Sequence, residues 1–278
     1  MIFVSTMIYA LGKILGFEAA VSQFHWQLKN PGPSSLPAVR AIARLKELDD
    51  VQLMVDPACT SIAKARSRAF YAAAMSTADV WVSIDDDSEA TADTLDLMLK
   101  AARSGGDLVL APCRLRGQER INVALYTIEA ERELLDGARL VRAHAGGLSI
   151  AALGRRAMNT LAAAYSPDLS FTDHDGVERL ALFAEEIIGG RWFGEDVSFC
   201  ARVTAAGLVI EALATGVTSH DGQGLLLNEI RTLPGLEAIG VATDFRRELC
   251  RLKPYTAPAV RDASAAELLI HSELDSAR

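Results

Sequence analysis

The chain has 278 residues, half of them hydrophobic, and a formal net charge of −8. That is enough for one large core, or a core with an appendage, and it excludes a disordered chain. The acidic balance argues against non-specific nucleic-acid binding, which needs Lys and Arg against phosphates.

Four cysteines (Cys59, Cys113, Cys200 and Cys250) stand far apart with no CxxC pair. This predicts reduced, mostly buried thiols rather than a disulfide framework or a zinc site. Nothing approaches the ~18 consecutive apolar residues of a membrane span, and Met1–Ala10 lacks a basic leader region, so no span and a cytoplasmic protein are expected.

Ile2–Tyr9 predicts a first buried strand. Leu11–Leu28 reads as a helix or an irregular connection, and Asn30–Pro37 as a loop rich in Pro, Gly and Ser. Ala38–Leu48 is helix-like, and Val51–Val55 is a second strand ending at Asp56–Pro57. Ser61 caps a helix to Met75, with Ile62, Ala65, Ala69 and Ala72 at three- and four-residue spacing. Val80–Ile84 is a third strand running into Asp85–Asp86–Asp87. Thr91 caps a helix to about Arg103, closed by Gly105–Gly106, and Leu108–Ala111 is a fourth strand. Alternating strands and helices predict a parallel sheet with right-handed crossovers.

Beyond it, strands are expected at Asn122–Ile128 and Gly146–Ile150, and a helix at Gly154–Ala164. Ser166–Gly190 reads as a long variable loop. A helix over 196–206 ends at Gly207, and Leu208–Leu213 is a strand. The composition then shifts to a Leu/Ala/Arg-rich helical tail. The expected division is a domain over 1–224 and a helical extension over 225–278.

In open α/β sheets, ligands gather at the carboxyl ends of the strands. Asp85, Asp86 and Asp87 stand where the third strand ends. Three adjacent carboxylates repel one another, and a divalent cation holding a diphosphate would relieve that repulsion. Carboxylates beginning a helix are the plainer alternative. His220 closes a later strand–loop unit, and imidazole is a good partner for carboxylates around Mn2+. Glu195–Asp196 opens the helix over 196–206, where an acidic pair serves either as a cap or as a general base; spacing alone favours the cap. Arg66 and Arg68, in the first turns of their helix, are either solvated surface charges or placed for phosphate contacts. Gly146–Gly147 is either a turn or a place where a ligand nears the backbone.

Taken in order, Ser61-Ile-Ala-Lys-Ala-Arg66, Val82-Ser-Ile-Asp85-Asp-Asp87, His144-Ala-Gly-Gly147, Gly194-Glu-Asp196-Val-Ser-Phe-Cys200 and Ser219-His220-Asp-Gly222 resemble a family-2-like glycosyltransferase of the stand-alone bacterial or bacteriophage kind. The resemblance covers about residues 50–224. It implies a GT-A (Rossmann-like) nucleotide-diphospho-sugar transferase fold, a mostly parallel central sheet flanked by helices. It further implies metal-dependent, inverting transfer from a UDP- or GDP-linked sugar donor to an acceptor hydroxyl, with Mn2+ or Mg2+. Asp85 would contact the ribose or the metal shell, Asp87 would ligate the metal, and His220 would complete its coordination. Asp196 would be the catalytic base, with Glu195 its substitute. Ser5, Thr6 and Asp56 would hold the nucleobase, Arg66 would sit near the diphosphate, and Asp86 and Gly146–Gly147 would line the donor site.

The sequence departs from the family at Ser67, where Asn is usual, at Asp86, where a small or apolar residue is usual, and over Leu11–Pro37. A nucleotidyltransferase of related fold is the first alternative, although Ser5–Lys13 is a poor version of the basic glycine-rich loop it would need. A non-catalytic sugar- or nucleotide-binding protein is the second. The acceptor is open among a glycan, a lipid, a protein, a small molecule and hydroxymethylated bases of phage DNA. The tail is expected to shape the acceptor side or to form a homodimer contact.

Overall fold

The fold was analysed in a computed structural model, which describes residues 1–8, 17–56, 61–125, 132–134, 137–188 and 190–230. The first half runs β1 (Ile2–Met7), α1 (Phe17–Lys29), α2 (Pro37–Leu48), β2 (Val51–Asp56), α3 (Ile62–Met75), β3 (Val80–Asp85), β4 (Ser88–Ala90), α4 (Ala92–Arg103) and β5 (Leu108–Leu110). Next come β6 (Val123–Leu125), β7 (Arg132–Glu133), β8 (Arg139–Gly146), β9 (Ile150–Gly154) and α5 (Arg155–Leu169). Two hairpins follow, β10 (Ser170–Thr172) with β11 (Glu178–Leu180) and β12 (Glu186–Ile188) with β13 (Arg191–Phe193). The last elements are α6 (Glu195–Ala205), β14 (Ile210–Leu213), β15 (Val217–His220) and β16 (Gln223–Leu226).

The main sheet has the order β2-β1-β3-β9-β5-β14-β8-β6, with β7 beside β8. β1 is parallel to β2 and β3, and β14 to β5, while β8 and β9 run against the rest. The expected mostly parallel α/β sheet is therefore present. Both faces of β3 are buried: Val80, Val82 and Ile84 on one, Trp81 and Ser83 on the other. Helices must cover both sides, as the crossover rule requires.

Local chemistry sets the helix ends. Ser61 Oγ accepts from the Lys64 amide at 3.3 Å, and Thr91 Oγ1 from the Thr94 amide at 3.3 Å. Each satisfies an orphan donor of the first turn. Pro37 opens α2, where its missing N–H costs nothing. The Arg155 guanidinium reaches back to the carbonyls of Ala74 and Ser76, at 2.9 and 2.8 Å, tying α5 to the end of α3.

Three expectations need correction. Gly146–Ile150 is not one strand: β8 ends on Gly146 and β9 begins at Ile150. The Gly147 amide instead bonds Asn122 O at 2.7 Å, and a side chain at Gly147 would come within 2.6 Å of Asn122 Nδ2. Ser166–Gly190 is not a structureless loop but holds the end of α5 and most of two hairpins. Leu208–Leu213 begins as a strand only at Ile210. The three-stranded sheet β16-β15-β4 had no distinct signal. The helical tail falls outside the described residues beyond Ile230; Leu225 and Leu226 still belong to β16, and Leu225, Leu227 and Ile230 are buried.

No described helix is long and apolar enough to cross a membrane. Cys113 and Cys200 are free and buried, and burial pushes each thiol up to about 12. Cys59 and Cys250 lie outside the described residues.

Candidate functional site

A chain of aromatic rings beneath the site fixes three elements together. Trp81 of β3 meets Phe70 of α3 and Phe183 edge-on, each at 5.9 Å, and Phe183 stacks on Phe199 of α6 at 4.3 Å. Periodicity then carries polar residues from this stack toward the carboxyl end of the sheet. Arg66 precedes Phe70 by one helical turn, and Asp196 precedes Phe199 by three residues. Asp85 lies on the same face of β3 as Trp81, because strand side chains alternate. The three residues converge above the rings.

There, Arg66 Nη2 donates to both Asp85 carboxylate oxygens at 3.0 and 3.1 Å. Its Nη1 donates to Glu195 Oε1 at 2.9 Å and also to Asp196 Oδ1. The Arg66 side chain is 2% exposed, whereas that of Asp196 is 28% exposed. Burial pushes the Asp85 and Asp196 carboxyls above their ordinary range, although the Arg66 charge pulls both down. Burial would also lower the Arg66 pKa, but Asp196, Asp85 and Glu195 together raise it. The guanidinium expected at a diphosphate is thus engaged by three carboxylates.

Asp87 belongs to a second group. The antiparallel pairing of β15 with β4 sets His220 opposite Ser88, which brings His220 Nε2 to 3.4 Å from Asp87 Oδ2. His220 Nδ1 donates to the Arg114 carbonyl at 2.8 Å. Arg116 Nη2 lies 2.5 Å from Asp87 Oδ2, and its Nε 3.2 Å from Asp221 Oδ2. Asp221 holds a left-handed φ of 50°, and its amide donates to the Asp87 carbonyl at 2.9 Å. Arg116 is the residue that sequence reasoning missed; the arginines of Arg114-Leu-Arg116-Gly117 and Arg120 match no recognised spacing.

Among the described residues, no three His, Cys, Asp or Glu side chains converge as a ready-made metal site. Asp87 and His220 would fit as two ligands once Arg116, which sits on the same Asp87 Oδ2, gives way. A histidine whose other ring nitrogen donates to a carbonyl has the usual arrangement of a ligating imidazole. Hard cations such as Mg2+ often take only one or two carboxylates, with waters and substrate phosphates completing the shell. Asp85, held by Arg66, does not join this pair.

The remaining expected residues are placed as follows. Thr6 and Ser5, near the end of β1, are buried. Ser5 Oγ accepts from Trp81 Nε1 at 2.9 Å, and Thr6 Oγ1 is buried with no hydrogen-bond partner among the described residues. Asp56 ends β2 beside Met7 and lies 3.5 Å from Arg68 Nη1. Asp86 is half-buried, and its carbonyl accepts from the Ala38 amide at 3.4 Å. A side chain at Gly146 would meet Leu110 at 2.6 Å, so this glycine and Gly147 face the protein's own packing.

The Asp87–His220 pair gives a pH signature in metal-free protein. The Asp87 hydrogen bond raises the His220 pKa, burial opposes it, and the Arg114 carbonyl adds to the rise. A raised folded value means that His220 contributes stability fully below about pH 6.5 and loses it as pH rises through the folded value. Burial raises the Asp87 carboxyl, but hydrogen bonds from His220 and Arg116 outweigh it and hold it low. Its contribution is present above about pH 4 and lost on acidification. The stability gap between wild type and His220→Gln, read as urea midpoints, will be widest near about pH 6 and shrink as pH rises through the raised folded value.

No family model matches this chain, and no curated protein matches it. Among solved structures, A197 from STIV aligns at 15% identity over 81% of this chain and 92% of that one, with a TM-score of 0.44. S. aureus TarS 1–349 in complex with UDP-GlcNAc aligns at 14% identity over 82% of this chain and 60% of that one, at 0.41. GalNAc-T7 with UDP, GalNAc and Mn2+ aligns at 11% identity over 99% of this chain and 55% of that one, at 0.42. Likenesses this distant leave the residues themselves to carry any functional reading.

Proposed function

We propose that this protein is a GT-A type glycosyltransferase that moves a sugar from a UDP- or GDP-linked donor to an acceptor hydroxyl with inversion, Asp196 acting as base. The supporting observation is the convergence of Asp85, Glu195 and Asp196 on buried Arg66 at the carboxyl end of β3, with Asp87 and His220 alongside. Open α/β sheets bind ligands at that edge.

Asp87 and His220 would hold Mn2+ or Mg2+. When bound, such a cation neutralises charge building on the departing diphosphate. Asp196, partly open to solvent, takes the proton of the acceptor hydroxyl as its oxygen bonds to the anomeric carbon and the sugar–phosphate bond breaks. A carboxylate raised by burial is better matched to that proton than an ordinary one. Glu195, on the same guanidinium, is the substitute base. Residues 225–278 are proposed to shape the acceptor side or to form a homodimer contact.

The test is a thermal-shift panel of UDP-glucose, UDP-N-acetylglucosamine, GDP-mannose and related donors, with and without Mn2+. One donor with Mn2+ at a hundredfold above its dissociation constant will stabilise the fold by about 2.7 kcal/mol. Silence across the panel would sink the reading. Release of UDP or GDP distinguishes glycosyl transfer from nucleotidyl transfer, which releases pyrophosphate.

A further inference from the structure

We infer that Arg66 is the positioning residue of this site: it acts through Asp196, holding the base at a fixed place relative to the donor-side Asp85. This rests on the glycosyl-transfer reading above and reassigns the arginine that the family resemblance places near the diphosphate.

The accessible surfaces decide between the two roles. At 2% exposure, Arg66 has no face left for a phosphate, while Asp196 keeps 28% of its side chain open to a substrate. Both terminal nitrogens of Arg66 are occupied by carboxylates, Nη2 by Asp85 and Nη1 by Glu195 and Asp196.

The guanidinium is planar and rigid, so its two ends fix the spacing between the groups they hold. Those groups come from unrelated parts of the chain, the end of β3 and the start of α6. Asp85 itself is fixed to the sheet, since its amide donates to Ser149 O at 2.9 Å. Asp196 also takes a backbone hydrogen bond from Leu148, in the turn between β8 and β9. Arg66 therefore completes a frame that runs from β3 through the guanidinium to the base.

One feature does not serve stability. Arg66 Nε is buried and has no hydrogen-bond partner among the described residues, a cost that an arginine kept only for anchoring would be expected to avoid. The orientation that strands Nε is the one that points both terminal nitrogens at the carboxylates. Lysine keeps the charge but presents a single point rather than a fork, so it cannot span Asp85 and Asp196 together.

The test compares Arg66→Lys, Asp196→Asn and the double variant in the full chain. The assay is release of UDP from UDP-glucose or UDP-N-acetylglucosamine, or of GDP from GDP-mannose, with Mn2+ and water as the acceptor. Arg66→Lys is expected to lower kcat about 100-fold, the scale of a displaced catalytic group. The donor KM is expected to stay within about threefold, because no binding contact is lost. In the double variant the loss will match that of Asp196→Asn alone, since a residue acting through another adds nothing once that other is gone.

A wild-type kcat for Arg66→Lys overturns the inference. So does a KM raised about tenfold at constant kcat, which marks a diphosphate contact, and so do losses that multiply in the double variant. Should the lysine variant not fold, Arg66→Gln gives the same three readings; failure of both to fold overturns the inference in favour of a purely structural arginine. Wild-type turnover by Asp196→Asn is a different outcome, because it removes the base from the proposed function itself.

Discussion

Asp196→Asn will lower nucleoside-diphosphate release from a UDP- or GDP-linked sugar with Mn2+ by about 10²–10⁴-fold, the usual contribution of a general base. Asparagine has the same shape, and its amide oxygen can still accept from Arg66 Nη1. What it cannot do is take a proton. Donor binding, read as the Mn2+-dependent thermal shift, will stay near the wild-type value. Folding will also survive, since burial already works against the Asp196 charge and the variant removes that charge.

Glu195→Gln provides the comparison, because Glu195 shares Nη1 of Arg66 at 2.9 Å. A large loss in Glu195→Gln beside wild-type turnover in Asp196→Asn would move the base by one residue. Wild-type turnover in both would leave the protein a binder of sugar nucleotides without this mechanism.

Phe199→Ala carries the largest expected effect on stability, about 3–5 kcal/mol lost by the usual cost of emptying a buried phenylalanine site. Phe199 and Phe183 are 0% exposed and stacked at 4.3 Å with 14° between their planes. Removing one ring leaves a cavity beneath the first turn of α6, the turn that carries Glu195 and Asp196. Urea unfolding followed by circular dichroism measures the loss. A cost below about 1 kcal/mol, typical of a surface change, would contradict the packing described here. Turnover is expected to fall as well, because the proposed base Asp196 is aimed by the helix that this ring anchors. Asp196→Asn and Phe199→Ala thus separate chemistry from support: one loses rate at constant stability, and the other loses both.

The elements with a clean period were legible in the chain. The alternating β1–β3 and α2–α4 units followed from apolar spacing, from caps at Ser61 and Thr91, and from the glycines that end helices. Those signals are local, set by neighbours within about four residues. Ser166–Gly190 failed for the opposite reason. Its hairpin strands have only three residues each, too few to establish a period against a polar background. The turn at Gly147 failed because its reason, Asn122 filling the space of the missing side chain, lies elsewhere in the chain.

The site divides along the same line. Three acidic residues after β3, an acidic pair opening α6 and a histidine ending β15 were each visible, and each was ambiguous alone. The sequence also held the spacings that put Arg66 one turn from Phe70 and Asp196 near Phe199. What it could not state was that Phe70 and Phe199 are joined through Trp81 and Phe183. Arg66 finds Asp85 at a separation of 19 residues, Glu195 at 129 and Asp196 at 130. Only the packing of α3, β3 and α6 closes those distances. The pairing of β15 with β4 does the same for His220 and Asp87. Residue type and local period are properties of short stretches of chain, whereas the partner of a buried charge is chosen by whatever the fold brings within about 3 Å of it.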